Sequence, residues 1–302
     1  MGNQLDLRDL RYFEVIAETG HLGRAAKKLF RTQPALTSCI RRLEETLETP
    51  LFERVGRGIR LTPAGEALLS RARSLRVASE DTVREIGELG RGVAGTVRVG
   101  TVPTMARFLL PPVVRELLKA APGVTIKTLI AQSDVLRSGL RTGELDLMVS
   151  FAPHSGEVDL AHHEILEDEV VVVASRSHPV HKRRARMKDL LDYGWALASS
   201  SVPTRQWIDH AFTSRGMRAP TVQVETNILL LLPPLIEQNQ LLSFLSRRHT
   251  GRGATLREVP LKETTMRRKF AVTYRRDSYL SPAAKRFVDL LRERAEELFE
   301  GN

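Results

Sequence analysis

The chain has one cysteine, Cys39, in 302 residues. That scarcity excludes an intrachain disulfide and any multi-cysteine zinc site. With no second thiol to resolve an oxidised sulfur, Cys39 reads as a small, half-buried side chain rather than a redox sensor. Uncharged apolar runs are short as well. The longest candidate, 228–236, contains two prolines and falls far below the eighteen or so residues that a membrane-spanning helix requires. The opening MGNQLDLRDL has no apolar stretch, so neither secretion nor membrane insertion is expected and the chain reads as cytoplasmic. GxSxG, HExxH and P-loop signatures are missing, and Ser, His and Asp are scattered without a nucleophile elbow. His162, His163 and the basic run 178–186 have no third ligand at metal spacing, and the run reads as a solvated basic loop. No catalytic residue, metal or cofactor is therefore expected. Acidic residues are in deficit, 36 against 46 Lys and Arg, giving a formal charge of +10 and a pI near 10.1. Such a balance favours polyanions in general without choosing among them.

What is present begins with a core: 42% hydrophobic content over this length suits two or three domains. From Thr32 the chain runs TQPALTSCIRRLEETL, with Thr32 as N-cap and Pro34 in the first turn of a helix. At helical spacing Leu36, Ile40, Leu43 and Leu47 share one stripe, while Pro34, Ser38 and Arg41 lie on the opposite face, flanked by Thr37 and Arg42, and Gln33 joins Thr37, Ser38 and Arg41 as an expected base or phosphate contact. Short polar side chains let a helix approach base edges, and Arg or Gln can bond to guanine or adenine. Two helices precede it: Leu7–Thr19, with Leu7, Leu10, Phe13, Ile16 and Ala17 at helical spacing, and 24–30, with Ala25, Ala26 and Leu29 inward. Three short helices with a tight turn fit a helix-turn-helix. Beyond it, 51–54 and 59–61 flank a glycine-containing tip and read as a two-stranded wing that carries Arg54, Arg57 and Arg60 toward phosphates. Residues 22–62 hold nine Lys and Arg against four Asp and Glu.

This stretch, AAKKLFRTQPALTSCIRRLEETLETPLFERVGRGIRLTPAGEALL, resembles the N-terminal winged helix-turn-helix of the LysR-type transcriptional regulators over about residues 7–69, and the remainder has a similar organisation. The resemblance implies a bacterial cytoplasmic activator or repressor that binds double-stranded operator DNA and answers to a small molecule. It also implies a homo-oligomer, usually a tetramer, with RNA polymerase as a further partner. The chain departs from the family pattern at Gly23, where Ser or Thr is frequent, and at Ser38, where a long polar residue is frequent. The second helix therefore loses a side-chain cap, and no operator preference carries over.

Thr62 and Pro63 open a long helix that meets no further proline through Leu89. Leu68, Ala72, Leu75, Ser79, Thr82, Ile86 and Leu89 alternate at spacings of four and three, the seam of a coiled coil, which points to a homodimer formed through this helix. Gly90, Gly92 and Gly95 then match GxGxxG, but after a helix and before a strand. That is the reverse of the order that cradles a pyrophosphate, so nucleotide binding is rejected.

From Thr96, strand-like and helix-like segments alternate: strands at 97–99, 124–131 and 145–151, helices at 104–120 and 134–141, then a second set starting near 169 with helices at 204–215 and 227–238, and a return through 270–274 to a helix at 282–299. The pattern predicts a two-lobed α/β domain with mainly parallel strands, resembling periplasmic binding proteins, and a cleft between the lobes. Ligands of such sheets sit at strand carboxyl ends beside helix N-termini. The residues at those places are Thr101, Thr104, Gln132, Ser133, Phe151, Ser200, Ser201, Thr204 and Asn227, a set suited to a carboxylate or other small anion. The expected organisation is 1–62 as the winged head, 63–92 as the linker helix and 93–302 as the effector domain, with lobe I at about 93–167 and 270–302 and lobe II at about 168–269. The back half alone would suit a binding module for transport, and an enzyme with an unrecognised site is the other rival; the basic head argues against the first.

Overall fold

The computed structural model describes residues 5–56, 58–88, 95–153, 158–251, 253–276 and 278–301. Arg57, Leu89 and 90–94 of the glycine-rich joint lie outside the described residues. Two compact units make up the chain, one containing residues 1–92 and the other most of 93–302.

In the first unit, α1 (Leu7–Thr19), α2 (Leu22–Leu29) and α3 (Gln33–Leu47) precede a hairpin of β1 (Phe52–Val55) and β2 (Gly58–Leu61), followed by α4 (Pro63–Glu88). Helix starts have local causes. Asp6 caps α1 by accepting from Arg8 N at 2.7 Å, and Thr32 caps α3 by accepting from Ala35 N at 3.4 Å. The second helix begins at Leu22 rather than 24 because His21 Nδ1 accepts from Gly23 N at 3.0 Å. An imidazole thus supplies the cap that Gly23 cannot. Gly20, at φ 59 in the left-handed region, ends α1, and its carbonyl accepts from Ile59 N at 3.0 Å, which ties the wing to the helices. A Cβ at Gly65 would come within 2.2 Å of Leu51 O, so the first turn of α4 lies directly on the chain entering β1.

Leu10, Phe13, Ile16, Ala25, Leu36, Leu43 and Leu51 fill the head core. Cys39 joins them at 0% exposure, which corrects its half-buried reading. The innermost stripe of α3 is Leu36, Cys39 and Leu43, and Ile40 is only half-buried, because α1 lies over the Cys39 flank. Leu7, expected inward, is half exposed at the first position of α1. The long seam of α4 also divides. Leu68 and Ala72 sink into the head core, whereas Leu75 and Ile86 are 45 and 64% exposed, and Val83, outside the expected seam, is 73% exposed.

The second unit contains β3 (Gly95–Thr101), α5 (Pro103–Phe108), α6 (Leu110–Ala120), β4 (Val124–Ile130), α7 (Ser133–Arg141), β5 (Leu147–Phe151), β6 (Leu160–Ser175), β7 (Trp195–Leu197), α8 (Pro203–Thr213), β8 (Val222–Glu225), α9 (Leu232–Asn239), β9 (Ser243–Ser246), β10 (Leu256–Glu258), β11 (Met266–Arg275) and α10 (Pro282–Glu300). Seven strands form one sheet in the order β10-β6-β11-β5-β3-β4, with β9 also on β6, and β7 pairs separately with β8. The sheet is mixed rather than mainly parallel. Parallel pairing joins β3 to β4 and β5, and β7 to β8, while β6, β9, β10 and β11 pair antiparallel. The strand expected near 169 starts earlier, as β6 begins at Leu160 and its first half is concealed by exposed His162, Glu164 and Glu167, which break up the apolar run. Its second half is buried on both faces: Val170, Val172 and Ala174 pack with Trp195, Phe212 and Phe244, and Val171 and Val173 with Ala196, Leu232 and Ile236.

Prolines reset two helices. The predicted helix 104–120 is split at Leu109, with Pro111 and Pro112 entering the first turn of α6. Pro233 and Pro234 likewise sit in the first turn of α9, so Asn227 lies in the irregular stretch before it rather than opening a helix.

Candidate functional site

On the head, packing Leu36, Cys39 and Leu43 inward turns Gln33, Pro34, Thr37, Ser38 and Arg41 outward, where they line one open concavity. Thr37 Oγ1 donates back to Gln33 O at 3.1 Å, and Arg41 Nε donates to Glu45 Oε1 at 2.7 Å across one exposed helical turn. Arg42 does not belong with this group. Its Nε and Nη2 clasp the buried Asp9 carboxylate at 3.0 and 2.8 Å, and its Nη1 donates to Ser38 Oγ at 3.2 Å, so its charge is neutralised against α1. Arg54 is exposed on β1, while Arg60 pairs with Glu53 directly across the hairpin at 2.6 Å.

Within the second unit, a cavity of about 100 Å³ is lined by Thr104, Gln132, Phe151, Thr204 and Asn227, five of the nine residues expected around an effector. The other four lie elsewhere. Thr101 is buried in the sheet, its Oγ1 donating to Val102 O at 3.4 Å, because strand alternation turns it away from the cleft. Ser133, in the first turn of α7, points its Oγ into protein. Ser200 and Ser201 are exposed in the loop before α8, a loop that Asn227 pins by accepting from Ser199 N at 3.0 Å.

The centre of the cavity is a residue that sequence reasoning missed, Arg268 on β11. Its side chain is 8% exposed and pairs with Asp168 on β6, itself 2% exposed, at 2.7 Å. Nη2 also donates to Thr104 Oγ1 at 3.2 Å and Nη1 to Thr204 Oγ1 at 3.5 Å, so one guanidinium joins threonines from α5 and α8. The plane lies over the rings of Phe151 and Phe270, 5.4 and 5.1 Å from their centroids, and those rings stack on each other. Ser246 Oγ donates to the other Asp168 oxygen at 2.7 Å. Burial pulls the Arg268 pKa below its ordinary value and Asp168 opposes that shift. The signal in sequence was alternation: in MRRKF, Met266, Arg268 and Phe270 share a face, and Arg267 and Lys269 point to solvent.

A winged helix-turn-helix joined to an α/β unit whose cavity sets a buried arginine and threonine hydroxyls among apolar walls defines a DNA-binding regulator with a small-molecule sensing domain. Residues 7–66 match the bacterial regulatory helix-turn-helix protein, lysR family, and residues 90–296 match the LysR substrate binding domain. The chain belongs to the LysR family of transcriptional regulators. It is 28% identical over 294 residues to the HTH-type transcriptional regulator GalR of Pseudomonas putida, covering 95% of this chain and 73% of that protein. It is 25% identical over 289 residues to the HTH-type transcriptional activator CmpR of Synechocystis, covering 94% of each. In fold it is similar to full-length CbnR in complex with its target DNA, with a TM-score of 0.65 at 21% identity over 95% of this chain and 99% of that one. No helix among the described residues is long and apolar enough to cross a membrane.

Proposed function

We propose that this regulator acts in the cytoplasm as a homodimer or higher oligomer, reads its operator through the outer face of α3 and the wing, and responds to a small organic carboxylate. The division of labour follows 1–62 for DNA, 63–92 for pairing and 93–302 for sensing. Gln33, Pro34, Thr37, Ser38 and Arg41 supply base and phosphate contacts, with Arg54 and Arg57 on phosphate. Arg42 positions α3 on α1.

The observation that carries the sensing half is the convergence of Thr104 and Thr204, on separate helices, upon one buried guanidinium. Asp168 is already committed to Arg268 and Ser246, so the pair contributes no net charge. Both threonines sit in first helical turns, where free N–H groups add positive potential. A carboxylate fits there by accepting from Arg268 Nη1, the threonine hydroxyls and the Gln132 and Asn227 amides. Pairing is supported by the apolar stripe that Leu75, Val83 and Ile86 leave exposed on α4.

Gel shifts on DNA upstream of its own coding sequence, with and without a panel of carboxylates, test the reading. A retarded complex whose pattern changes with one acid is expected, and the change is lost in Thr104→Val. A protein that shifts no promoter DNA, or a Thr104→Val protein with an unaltered response, overturns it. Ile86→Glu, on the exposed stripe, should shift sedimentation toward the monomer and weaken DNA binding together.

A further inference from the structure

Resting on the carboxylate reading, we infer that the effector carries an apolar body, and that the body lies in a second groove outside the cavity. The inner cavity, about 100 Å³, is smaller than the roughly 150 Å³ apolar cavity that holds benzene. It accommodates an anionic head and little more. Pro103, Gln132, Asn227 and Leu229 line both this cavity and an outer groove of about 520 Å³, so they form a neck through which the rest of a larger ligand passes.

Apolar side chains such as Val102, Phe151 and Phe244 already share the inner cavity with its polar groups, and beyond the neck the walls are aliphatic apart from Arg107. Ala106, Ile130, Ile228, Leu229 and Leu230 line the groove, and Ile130, Ile228 and Leu230 are 57, 58 and 71% exposed. Three large aliphatic side chains left in water around one mouth make burial beneath an apolar body favourable. The cation on this rim, Arg107, lies with its guanidinium 5.3 Å from the Phe108 ring centroid, so it presents a flat face that an aryl or alkyl group can also cover. A hydrophilic polyacid finds hydrogen-bond partners at the inner end and an aliphatic wall outside. The occupant that suits both ends is a monocarboxylate with an aryl or alkyl substituent.

The test is calorimetric titration of the full-length protein with acetate, butyrate, hexanoate, benzoate and succinate, repeated on Leu230→Glu and Ile228→Glu, whose sites are exposed enough to spare the fold. Affinity should rise about fourfold per methylene along the straight-chain series, and benzoate should exceed acetate. Both variants should lose that gain and keep acetate binding. A flat series, or a preference for succinate, overturns the apolar body while leaving the carboxylate reading intact. No heat with any acid overturns both. Variants that change sedimentation and leave the ligand series untouched assign the groove to a second copy of the chain and overturn the inference.

Discussion

At the scale of single residues, Arg268 has a double role that mutagenesis can separate. Replacing one member of a buried ion pair strands the other without solvation, whereas replacing both with apolar groups of similar volume is close to neutral. Arg268→Met alone should therefore cost about 3–5 kcal/mol in denaturant unfolding, and Arg268→Met with Asp168→Leu should recover most of it. Neither protein should bind the effector, because both lack the guanidinium that meets it. A double variant as unstable as the single one would show that the loss arises from the packing of Arg268 on Phe151 and Phe270 instead of from its charge. Cys39 supplies the opposite case, a conspicuous residue with no reactivity to offer. Burial first, and then the nearby Asp9 carboxylate, push its thiol up to about 12, and its Sγ contacts Asp9 O at 3.5 Å. Alkylating reagent at pH 8 should modify it only through the unfolded chain, at a rate that climbs with denaturant; fast labelling of the native protein would contradict this placement.

At the scale of elements, the consecutive arginines of α3 separate by what they face. Arg41→Ala should weaken specific DNA binding by roughly 1–3 kcal/mol if its side chain reads a base, with no change in melting temperature. Arg42→Ala should instead lower the melting temperature, since Asp9 stays buried with its charge unpaired, and should leave base preference alone. Competition gel shifts over altered operators, run beside thermal melts, distinguish the two. The pair also explains what was legible beforehand. Helical spacing, Thr32, Pro34 and the wing glycines are local signals, so the head could be read from its own sequence. Asp9 is 33 positions from Arg42, and no local pattern announces their pairing. The same limit applied to the sensing unit: Thr104, Gln132, Phe151, Thr204 and Asn227 stood at element ends and line one cavity, but Asp168 and Arg268, 100 positions apart, meet only once β6 pairs with β11. Exposed His162, Glu164 and Glu167 in the first half of β6 concealed the strand itself. Thr101 and Ser133 satisfied the rule for strand and helix ends and were turned away by pleat and packing, which element order alone does not specify.

For the whole molecule, the formal charge of +10 makes DNA affinity salt-dependent, while the histidines govern how stability varies with pH. His163, His178, His181 and His249 are all held below the ordinary imidazole range, in each case chiefly by burial. His249 is the extreme at about 4. Its Nδ1 lies 3.1 Å from Ser246 O, a carbonyl that can only accept, so the ring carries its proton there, and Nε2 is buried with no hydrogen-bond partner among the described residues. His178 is fixed as firmly, with Nδ1 accepting from Val180 N at 3.0 Å and Nε2 donating to Gln240 O at 2.9 Å. The sign follows from which state binds the proton. As pH falls below about 6.5 the unfolded chain protonates these rings before the folded chain does, so stability is lost on acidification. For His249 the loss extends over pH 6.5 to about 4 and amounts to roughly 3 kcal/mol at completion. Denaturant unfolding from pH 7.5 to 4.5 should show stability falling throughout that window, although the carboxylates remain largely ionised over most of it. His249→Gln keeps a donor for the Ser246 carbonyl without a group that titrates, so its curve should fall less steeply than wild type by up to one proton's worth, about 1.4 kcal/mol per pH unit. Parallel curves for the two proteins would mean that His249 takes up its proton as readily folded as unfolded, and the burial of that ring would then have to be abandoned as the source of the acid sensitivity.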